Sequence, residues 1–480
     1  MRKTKIIATL GPATESPEMI NRLIEAGVNI FRLNMSHATH DWVRRIVPHI
    51  RSASQAKEKH TGILMDTQGP AVRTGDLLAA LDLKPGQKFT LTVRGERSEE
   101  LHSVDVNYEN FVNDISVGDV VMLDNGEIQM KVLTKFANKI ECEVLTPGKL
   151  GSRRHINLPG VKVSLPALTA KDLADVGMGL EIGVDYIALS FVREAKDIQQ
   201  LRAVIEQPRA SSKRGIPPVS TTSPLIIAKI EDQQAVKNIN EIIQQADGIM
   251  VARGDLGIEC PYEELPIIQR RIVKLCLRAG RPVIVATHML ESMIDNPVPT
   301  RAEVTDVANA VFEQSDAIML SGETTVGKYP LKCVEVFDRI AQRIERSGGA
   351  NYHEKAQLTT PRQKLVKSAV AMANDLKADA IIIFTRRGNM ARYASWMRPR
   401  SSAVYAICDN ENLAKSLTLN WAATPIVVPF HPTNPAETIS TALEMLLKRN
   451  LIQKRNTVVI VGAITADERV VDAVQMRVIE

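Results

Sequence analysis

The sequence predicts an α/β protein: a (β/α)8 TIM barrel with an inserted antiparallel β-barrel lid domain and a C-terminal α/β sandwich domain. Three observations indicate this fold class. Eight short apolar runs each precede a helix-compatible segment, turn-rich alternating segments interrupt the third unit, and βα alternation resumes after a linker. At ~150 residues per domain, a chain of 480 residues is also long enough for several domains.

The eight apolar runs identify the barrel strands. They read KIIATL, VNIFRLN, TGILMD, VDYIALSF, PLIIAKI, DGIMVA, RPVIVA and DAIML. Runs of Ile, Val, Leu and Ala without polar alternation are typical of parallel strands that are covered on both faces. Eight such units in series are the number that closes a barrel. We therefore predict barrel segments over residues 1–70 and 166–346.

The βα alternation breaks after Pro70. Turn signals such as KPGQK, SVGD and DNGE then separate alternating strands such as FTLTV and KIECEV. We interpret residues 71–165 as an antiparallel β domain inserted in the third βα loop, where two neighbouring connections would let it move as a lid. Residues 208–224 contain many Ser, Pro and basic residues and predict a mobile surface loop.

The C-terminal part of the chain returns to α/β patterning. Residues 347–361 read as a linker, and residues 362–480 as a regulatory α/β domain. Its predicted strands are ADAIIIFT, SAVYAIC, ATPIVVPF and NTVVIVG, with AVQMRVIE as a final edge strand.

Composition excludes several classes of protein. Sixty Lys and Arg against 55 Asp and Glu give a net charge of +5, which is too weak for a protein that coats nucleic acid. The five cysteines form no C-x-x-C pair, so we expect neither a disulfide framework nor a zinc site. We expect the protein to lie in the reducing cytoplasm. No apolar run approaches the ~20 residues that cross a bilayer. We expect neither nucleic-acid nor membrane partners.

Polar residues follow the predicted strands at their carboxyl ends, which form one shared mouth in a barrel. Lys229 and Glu231 are two residues apart and lie on one face of their strand. Asp255 ends the next unit, between Gly254 and Gly257. Alone, the Lys–Glu pair is equally typical of a structural salt bridge. Two carboxylates with substrate and water oxygens suit Mg2+, and a cation beside a lysine favours phosphoryl or enolate chemistry.

A second polar cluster lies in the segment FRLNMSHATH. Arg32, Asn34 and Ser36 alternate and share a face of the strand, and His37 follows them. A structural ion pair for Arg32 and an exposed loop position for His37 are the competing interpretations. Oxygen atoms of Asn34, Ser36, Asp66 and Thr67 could together hold a monovalent cation.

Two other patterns are weaker indications of function. Gly322 to Lys328 reads G-x-x-x-x-G-K, but Tyr329 replaces the Ser or Thr that binds Mg2+ in a nucleotide-binding loop. Tyr393 and Trp396 lie near Arg398 and Arg400, as in a base-stacking patch, but packing is the better interpretation.

These motifs together resemble one family, the pyruvate kinases, and in particular the bacterial type. The similarity runs through KTKIIATLGPAT, RLNMSH, MDTQGP-x-x-RTG, INLPG, DYIALSFVR, IIAKIED, ADGIMVARGDLGIE, ATHMLESMI, PTRAEVTDVANAV and IMLSGET. It covers the barrel, frames the insertion and continues weakly into the C-terminal part. The resemblance implies phosphoryl transfer from phosphoenolpyruvate to ADP, giving pyruvate and ATP. It also implies Mg2+ or Mn2+, usually K+, and a cytoplasmic homotetramer.

The resemblance also implies roles for individual residues. Glu231 and Asp255 would be the Mg2+ ligands. Arg32 would hold the substrate phosphate, and Lys229 would stabilise the charge on the phosphoryl group and the enolate. The groups that contact the substrate carboxylate would be the backbone of Ala252, Arg253 and Gly254 and the hydroxyl of Thr287. Proton delivery to enolpyruvate would involve water linked to Thr287, Ser321 and Glu323. Nucleotide phosphates would contact His37, Arg73 and the Arg153–Arg154 pair, and K+ would bind Asn34, Ser36, Asp66 and Thr67.

The sequence departs from the family pattern at four places. Ala71 stands where the family carries Glu or Lys, a choice that tends to follow K+ dependence, and Arg154 stands where Lys is usual. His288 replaces a Gln beside Thr287, and we expect it to be a neutral, packed histidine. The loop that often binds a phosphorylated effector lacks two hydroxyls here and gains two arginines; it reads Thr385, Arg386, Arg387, Gly388 and Asn389. We expect an altered effector site there.

Two alternative functions share parts of this pattern. A lyase or aldolase that acts on phosphoenolpyruvate or an oxoacid would use the same metal and carboxylates, but would need no nucleotide contacts. A non-catalytic, metabolite-binding homologue would need no Lys229. Pyruvate formation that depends on ADP distinguishes both from a kinase.

Overall fold

The computed structural model describes residues 2–93, 102–207, 223–466 and 469–480. The chain begins with β1 (Lys5–Thr9), α1 (Pro17–Glu25), β2 (Ile30–Asn34), α2 (His40–Ala56) and β3 (Gly62–Asp66). Side-chain caps fix where helices start: the hydroxyls of Ser16 and Thr39 accept hydrogen bonds from the backbone N–H groups of Met19 and Trp42.

The segment that follows β3 forms the inserted β domain. Its elements are β4 (Leu81–Leu83), β5 (Lys88–Val93), β6 (Ser103–Val106), α3 (Phe111–Asp114), β7 (Val120–Leu123), β8 (Ile128–Lys135), β9 (Lys139–Val144), β10 (Gly148–Leu150) and β11 (Ile156–Asn157). The six-stranded sheet has the order β11-β7-β8-β9-β5-β6, and β10 pairs with β4. Strands β5 and β6 pair in parallel, whereas the other described pairs are antiparallel. Apolar alternation gives the buried face of a strand but not its direction.

The chain then returns to the barrel. Its elements are α4 (Ala170–Ile182), β12 (Tyr186–Leu189), α5 (Ala195–Glu206), β13 (Leu225–Ile230), α6 (Gln233–Lys237), α7 (Ile239–Gln245), β14 (Gly248–Ala252), α8 (Arg253–Glu259), α9 (Leu265–Ala279), β15 (Val283–Ala286), a 3-10 turn (Glu291–Ile294), α10 (Arg301–Phe312), β16 (Ala317–Leu320), α11 (Gly322–Thr325) and α12 (Pro330–Glu345). Eight parallel strands close in the order β1-β16-β15-β14-β13-β12-β3-β2. The prediction of eight barrel strands is confirmed. Most of the predicted loop at 208–224 lies outside the described residues, at 208–222.

The C-terminal part forms a five-stranded sheet with helices. Its elements are a 3-10 turn (Tyr352–Lys355), α13 (Pro361–Asp375), β17 (Ala380–Phe384), α14 (Asn389–Trp396), β18 (Ala403–Cys408), α15 (Glu411–Ser416), β19 (Ala423–Val427), α16 (Pro435–Lys448), β20 (Thr457–Ala466) and β21 (Arg469–Val478). The order is β19-β18-β17-β20-β21. The last strand lies at the edge of the sheet, as predicted, and it pairs antiparallel with β20.

The N-terminal end of the barrel packs against the C-terminal domain. The indole N–H of Trp396 donates to the carbonyl of Leu277 over 2.6 Å, and buried Arg398 forms two bonds of 3.0 and 2.8 Å with Asp316. Leu419 packs with the side chains that fill the barrel interior. The packing interpretation of Trp396 is confirmed, and the residue is buried rather than on the surface. In the described part of the chain, no helix has the length and apolarity to span a membrane.

Candidate active site

A polar cleft lies at the carboxyl ends of the barrel strands, opposite the C-terminal domain. Its volume is about 370 Å3. The predicted site residues that line it are Arg32, Asn34, Ser36, Thr67, Arg73, Arg153, Arg154, Lys229, Glu231 and Asp255, together with Ala71. These residues are up to 223 positions apart in the sequence, and the barrel brings them together at one mouth, as the positions of the strand ends predict.

The centre of the cleft is a buried network around Lys229. Its ammonium lies 2.9 Å from Oε1 of Glu231 and 3.1 Å from Oδ1 of Asp66, and it donates to the hydroxyl of Ser190 over 2.7 Å. Arg32 holds the other oxygen of Asp66, with an Nε–Oδ2 distance of 2.6 Å. Two cations and two carboxylates therefore form one connected unit below the cleft.

Burial and charge oppose each other in this network. Burial would lower the pKa of Lys229, but Asp66 and Glu231 outweigh it and raise the pKa above its ordinary value. Burial would raise the pKa of Asp66, but Lys229 and Arg32 lower it. For Glu231, burial prevails over the attraction of Lys229 and, with help from Asp255, raises the pKa to about 7. The network therefore favours the charged form of Lys229 and disfavours the charged form of Glu231.

Glu231 and Asp255 are the two carboxylates expected to hold a divalent metal. Both line the cleft, and the charge of Asp255 contributes to the raised pKa of Glu231, so the two groups are close enough to repel. Within the described ranges, no group of three or more His, Cys, Asp and Glu residues forms a metal cage. The pair fits a hard cation whose remaining ligands are substrate and water oxygens, as is typical of Mg2+.

The four oxygen donors expected for K+ differ in exposure. Asn34, Ser36 and Thr67 line the cleft, whereas Asp66 is fully buried below it and is engaged by Arg32 and Lys229. The amide oxygen of Asn34 accepts from the backbone of Ser36 over 3.2 Å. The arrangement provides neutral oxygens at the surface of the cleft, with a negative charge beneath them.

The ends of β14 and β15 contact each other directly. The backbone N–H of Gly254 donates to the hydroxyl of Thr287 over 2.7 Å, and that hydroxyl donates to the carbonyl of Ala286 over 2.6 Å. Thr287 has a φ of 67°, which is strained for a β-branched residue. The guanidinium of Arg253 points away from the mouth and pairs with Asp306 at 2.7 Å. In this conformation, the N–H of Gly254 and the hydroxyl of Thr287 satisfy each other.

Ser321 and Glu323 lie after β16, at the N-cap and within the short helix α11. The Glu323 carboxylate is buried and accepts from the backbone N–H groups of Ser321, at 2.7 Å, and Leu290, at 3.0 Å. The Ser321 hydroxyl is buried without a partner among the described residues. Among the described residues, Thr287 forms no hydrogen bond with Ser321 or Glu323, so a link between the three needs an intervening group such as water.

The inserted domain brings three arginines to the cleft. Arg73 donates to the backbone of Arg153 over 3.2 Å, and Arg154 lies 3.3 Å from Asp124. Arg153 also lines the cleft, and its guanidinium pairs with Asp76 at 2.7 Å. His37 is exposed on the turn after β2 and is not among the residues that line the cleft.

Three further predictions concern residues outside the cleft. His288 is exposed, with 58% of its side-chain surface accessible, so the prediction of a packed histidine was wrong. Its φ of 52° turns the backbone so that the side chain faces outward. Lys328 of the G-x-x-x-x-G-K pattern forms an exposed ion pair with Asp295 at 2.8 Å. In the effector segment, Thr385 is buried, Arg387 is exposed, and Arg386 lies 5.2 Å from the ring centre of Phe430.

Sequence reasoning missed several residues of the cleft. Ser190 follows β12 and links Lys229 to the backbone of Thr67, and the N–H of Phe191 donates to Glu231 over 2.6 Å. His155 lies on the inserted domain, with its ring 6.2 Å from that of Phe191. The position of Ser190 at a strand end was a usable signal. The contribution of Phe191 comes from its backbone, which the sequence does not reveal.

The amino-acid sequence of this chain matches known proteins over almost its whole length. A family model described as "Pyruvate kinase, barrel domain" matches residues 1–334, and one described as "Pyruvate kinase, alpha/beta domain" matches residues 363–475. "Pyruvate kinase isozyme G, chloroplastic" of Nicotiana tabacum is 41% identical, over 96% of this chain and 80% of its own length.

Bacterial relatives and a solved structure give the same result. "Pyruvate kinase" of Geobacillus stearothermophilus is 39% identical, over 97% of this chain and 78% of its own length. A crystal structure of a pyruvate kinase from Cryptosporidium parvum superposes with a TM-score of 0.92 at 34% identity, covering 100% of this chain and 96% of that one. This chain therefore belongs to the pyruvate kinase family.

Proposed function

We propose that the cleft around Lys229 is the active site in which this enzyme transfers the phosphoryl group of phosphoenolpyruvate to ADP, giving pyruvate and ATP. The observation that carries this assignment is the single connected network of Lys229, Glu231, Asp66 and Arg32 at the barrel mouth. Transfer between two anions needs cations around the path of the phosphoryl group, because the reactants otherwise repel each other. The network holds two such cations in fixed positions.

Glu231 and Asp255 would hold the divalent metal on which the reaction depends, and Mg2+, or Mn2+ in its place, suits their oxygens. When bound, the metal would neutralise charge on the substrate carboxylate and enolate oxygens. Arg32 lines the cleft and is anchored by Asp66, so it can present its remaining N–H groups to the substrate phosphate. Lys229 stabilises the charge that moves between phosphoryl group and enolate.

The substrate carboxylate would bind at the ends of β14 and β15, at the backbone of Ala252, Arg253 and Gly254 and at the Thr287 hydroxyl. Enolpyruvate then gains a proton at carbon. We assign its delivery to water held between Thr287 and the unpartnered hydroxyl of Ser321, with Glu323 fixing the loop. The nucleotide phosphates would contact Arg73 and Arg154, with His37 at the rim. Closure of the 71–165 domain as a lid would exclude water, which competes with ADP for the phosphoryl group.

The remaining parts of the proposal concern cofactor, assembly and regulation. K+ would bind the oxygens of Asn34, Ser36 and Thr67 above the charge of Asp66. A homotetramer in the cytoplasm follows the family pattern. The segment 385–389 would bind a phosphorylated effector through Arg386 and Arg387, which immediately precede Gly388, the N-cap residue of α14.

A coupled lactate dehydrogenase assay tests the reaction. Pyruvate should form from phosphoenolpyruvate only when ADP is present, and chelation of divalent metal should stop it. Pyruvate formation without ADP would instead indicate a lyase or phosphatase. Binding of phosphoenolpyruvate without turnover, in a protein with an intact circular dichroism spectrum, would indicate a metabolite-binding homologue.

A further inference from the structure

His155 lies in the active-site cleft and has no role in the reaction as proposed above. It belongs to the inserted domain, directly before β11, and lines the cleft together with Glu231 and Asp255 of the barrel. Its backbone is held on two sides, because its carbonyl accepts from the N–H of Asp124 over 3.0 Å and the residue forms an antiparallel bridge with Arg73. The inserted domain therefore carries an imidazole, from a fixed backbone position, to the side of the cleft that holds the predicted metal carboxylates.

Asn157 determines which nitrogen of His155 carries the proton. The Nδ1 atom of His155 lies 3.1 Å from the amide oxygen of Asn157, and the amide nitrogen of Asn157 donates to Oε1 of Glu259 over 3.2 Å. An ionised carboxylate only accepts hydrogen bonds, so Glu259 fixes the amide with its nitrogen toward α8 and its oxygen toward the imidazole. The ring must then donate through Nδ1, which leaves Nε2 as an acceptor when the ring is neutral.

The contact between the inserted domain and α8 makes this orientation difficult to reverse. Asn157 and Glu259 are both buried, and a reversed amide would set its oxygen against the carboxylate away from water, which is unfavourable. The neighbouring residues are packed closely as well, since a Cβ atom on Gly126 would come within 3.3 Å of the side chain of Ile258. One interface therefore fixes both the place of His155 and its tautomer.

The second ring nitrogen of His155 is available to the cleft. Within the part of the chain that the structure describes, Nε2 forms no hydrogen bond, and His155 lines the cleft whereas Asn157 does not. Burial lowers the pKa of His155; Asp255 and the bond with Asn157 oppose that effect, and Arg73 adds to it. The cleft therefore has a neutral acceptor nitrogen within the electrostatic reach of Asp255.

The chemistry of the cleft restricts what can donate to this nitrogen. Ionised phosphate and carboxylate groups of the substrates have no proton to donate. A divalent metal held by two carboxylates keeps several water ligands, and the cation polarises these waters and makes them strong donors. We propose that His155 is a positioning residue that accepts a hydrogen bond from a water in the hydration shell of this metal. The inference rests on the assignment of the metal to Glu231 and Asp255 in the proposed function.

Such a bond would connect the metal to the inserted domain. Glu231 and Asp255 belong to the barrel, whereas His155 and Asn157 belong to the inserted domain and are joined to α8 by the bond to Glu259. An occupied metal site would therefore favour the position of the inserted domain in which both sides of the cleft are in place.

Binding of Mn2+ to the full-length protein without substrates tests this role without turnover. Free Mn2+ would be measured by electron paramagnetic resonance at about pH 8, above the pKa of about 7 to which burial raises Glu259. His155→Phe keeps an aromatic ring beside Phe191 but removes the acceptor. Loss of an outer hydrogen-bond partner of a metal site typically costs about 10–100-fold in affinity, so we expect Mn2+ to bind at least about tenfold more weakly. The matched control is His102→Phe, at an exposed histidine of the same domain, which should bind as the wild type does.

A second variant distinguishes positioning from a loss of packing. Glu259→Gln lets the amide of Asn157 turn over, because a Gln side chain donates as well as accepts. This change should weaken Mn2+ binding in the wild type and have little further effect in His155→Phe, since both changes remove the same acceptor. Effects that simply add would mean that Glu259 acts on the metal through its charge alone, and they would overturn the positioning role. Where His155→Phe does not fold, His155→Leu removes the same acceptor with a smaller side chain.

The remaining outcomes separate this inference from its premise. Unchanged Mn2+ affinity in folded His155→Phe would refute the inference, and a raised KM for ADP in the same variant would indicate a nucleotide contact instead. A nitrogen bound directly to Mn2+ in pulsed electron paramagnetic resonance would also refute it, because no water would lie between. Asp255→Asn tests the premise: if this variant binds Mn2+ as the wild type does, the metal assignment fails. If Asp255→Asn loses Mn2+ and His155→Phe does not, only the role of His155 fails.

Discussion

Replacement of Lys229 by Met removes the central cation of the active-site network while keeping an unbranched side chain of similar length. The ammonium contacts Asp66, Glu231 and the Ser190 hydroxyl, all within 3.1 Å. Loss of one preorganised electrostatic contact to a transition state typically costs about 3–4 kcal/mol, which corresponds to roughly a hundred- to a thousandfold in kcat. We therefore expect kcat for pyruvate formation to fall by roughly that factor.

The same change also affects stability, because it leaves two buried carboxylates with one cation fewer. Breaking a buried ion pair typically costs about 3–5 kcal/mol. Here Asp66 keeps Arg32 at 2.6 Å, and Glu231 keeps the N–H of Phe191 at 2.6 Å, so we expect the lower end of that range. The fold should remain, with a lower melting temperature.

The assay is steady-state pyruvate formation, with circular dichroism and thermal unfolding measured on the same samples. Lys88→Met is the matched control, because the ammonium of Lys88 pairs with Glu141 at 2.8 Å on the exposed face of the inserted domain. An exposed pair contributes about 0–1 kcal/mol, so this variant should keep its activity. A Lys229→Met protein that folds and turns over within a few-fold of the wild type would refute the role given to Lys229.

Three further predictions concern the nucleotide, the monovalent ion and pH. Arg73→Gln combined with Arg154→Gln should raise KM for ADP at least tenfold and change KM for phosphoenolpyruvate little, because both arginines come from the inserted domain; equal changes in both constants would contradict the assignment. Activity should be higher in K+ than in Na+, and Ala71→Lys should reduce this difference, since it adds an ammonium beside the cleft; initial rates at constant ionic strength measure both. Burial and the charges of Arg398, Arg400 and Lys367 lower the pKa of His353 to about 4. Between about pH 6.5 and 4, this histidine is protonated in the unfolded chain but not in the folded one, so the free energy of unfolding of the wild type should fall relative to that of His353→Gln as pH decreases. A difference in free energy of unfolding that does not change across this interval would contradict the prediction.

The strands could be predicted because a strand that is buried on both faces consists mainly of consecutive apolar residues. All eight barrel strands fall within the predicted, mainly apolar runs, and the alternation in KIECEV matches the buried Ile140, Cys142 and Val144. The direction of β6 could not be predicted, since it depends on which neighbour the strand meets and not on its pattern.

The candidate site could be predicted in part for a similar reason. Polar residues at strand ends converge because the barrel closes, and this requires no knowledge of the intervening chain. The outward orientation of His288 was not predictable, because it depends on a positive φ at that residue. The backbone donor at Phe191 was hidden for a different reason, since any residue supplies the same N–H group.

The contact between Gly254 and Thr287 has a consequence for the catalytic cycle. If the substrate carboxylate binds here as proposed, the Thr287 hydroxyl occupies its place before binding, so the Gly254 amide keeps a hydrogen-bond partner when product leaves. An incoming ligand exchanges one hydrogen bond for another instead of gaining a new one. Such an exchange moderates affinity for substrate and product alike, and a turnover enzyme benefits because its pyruvate can leave.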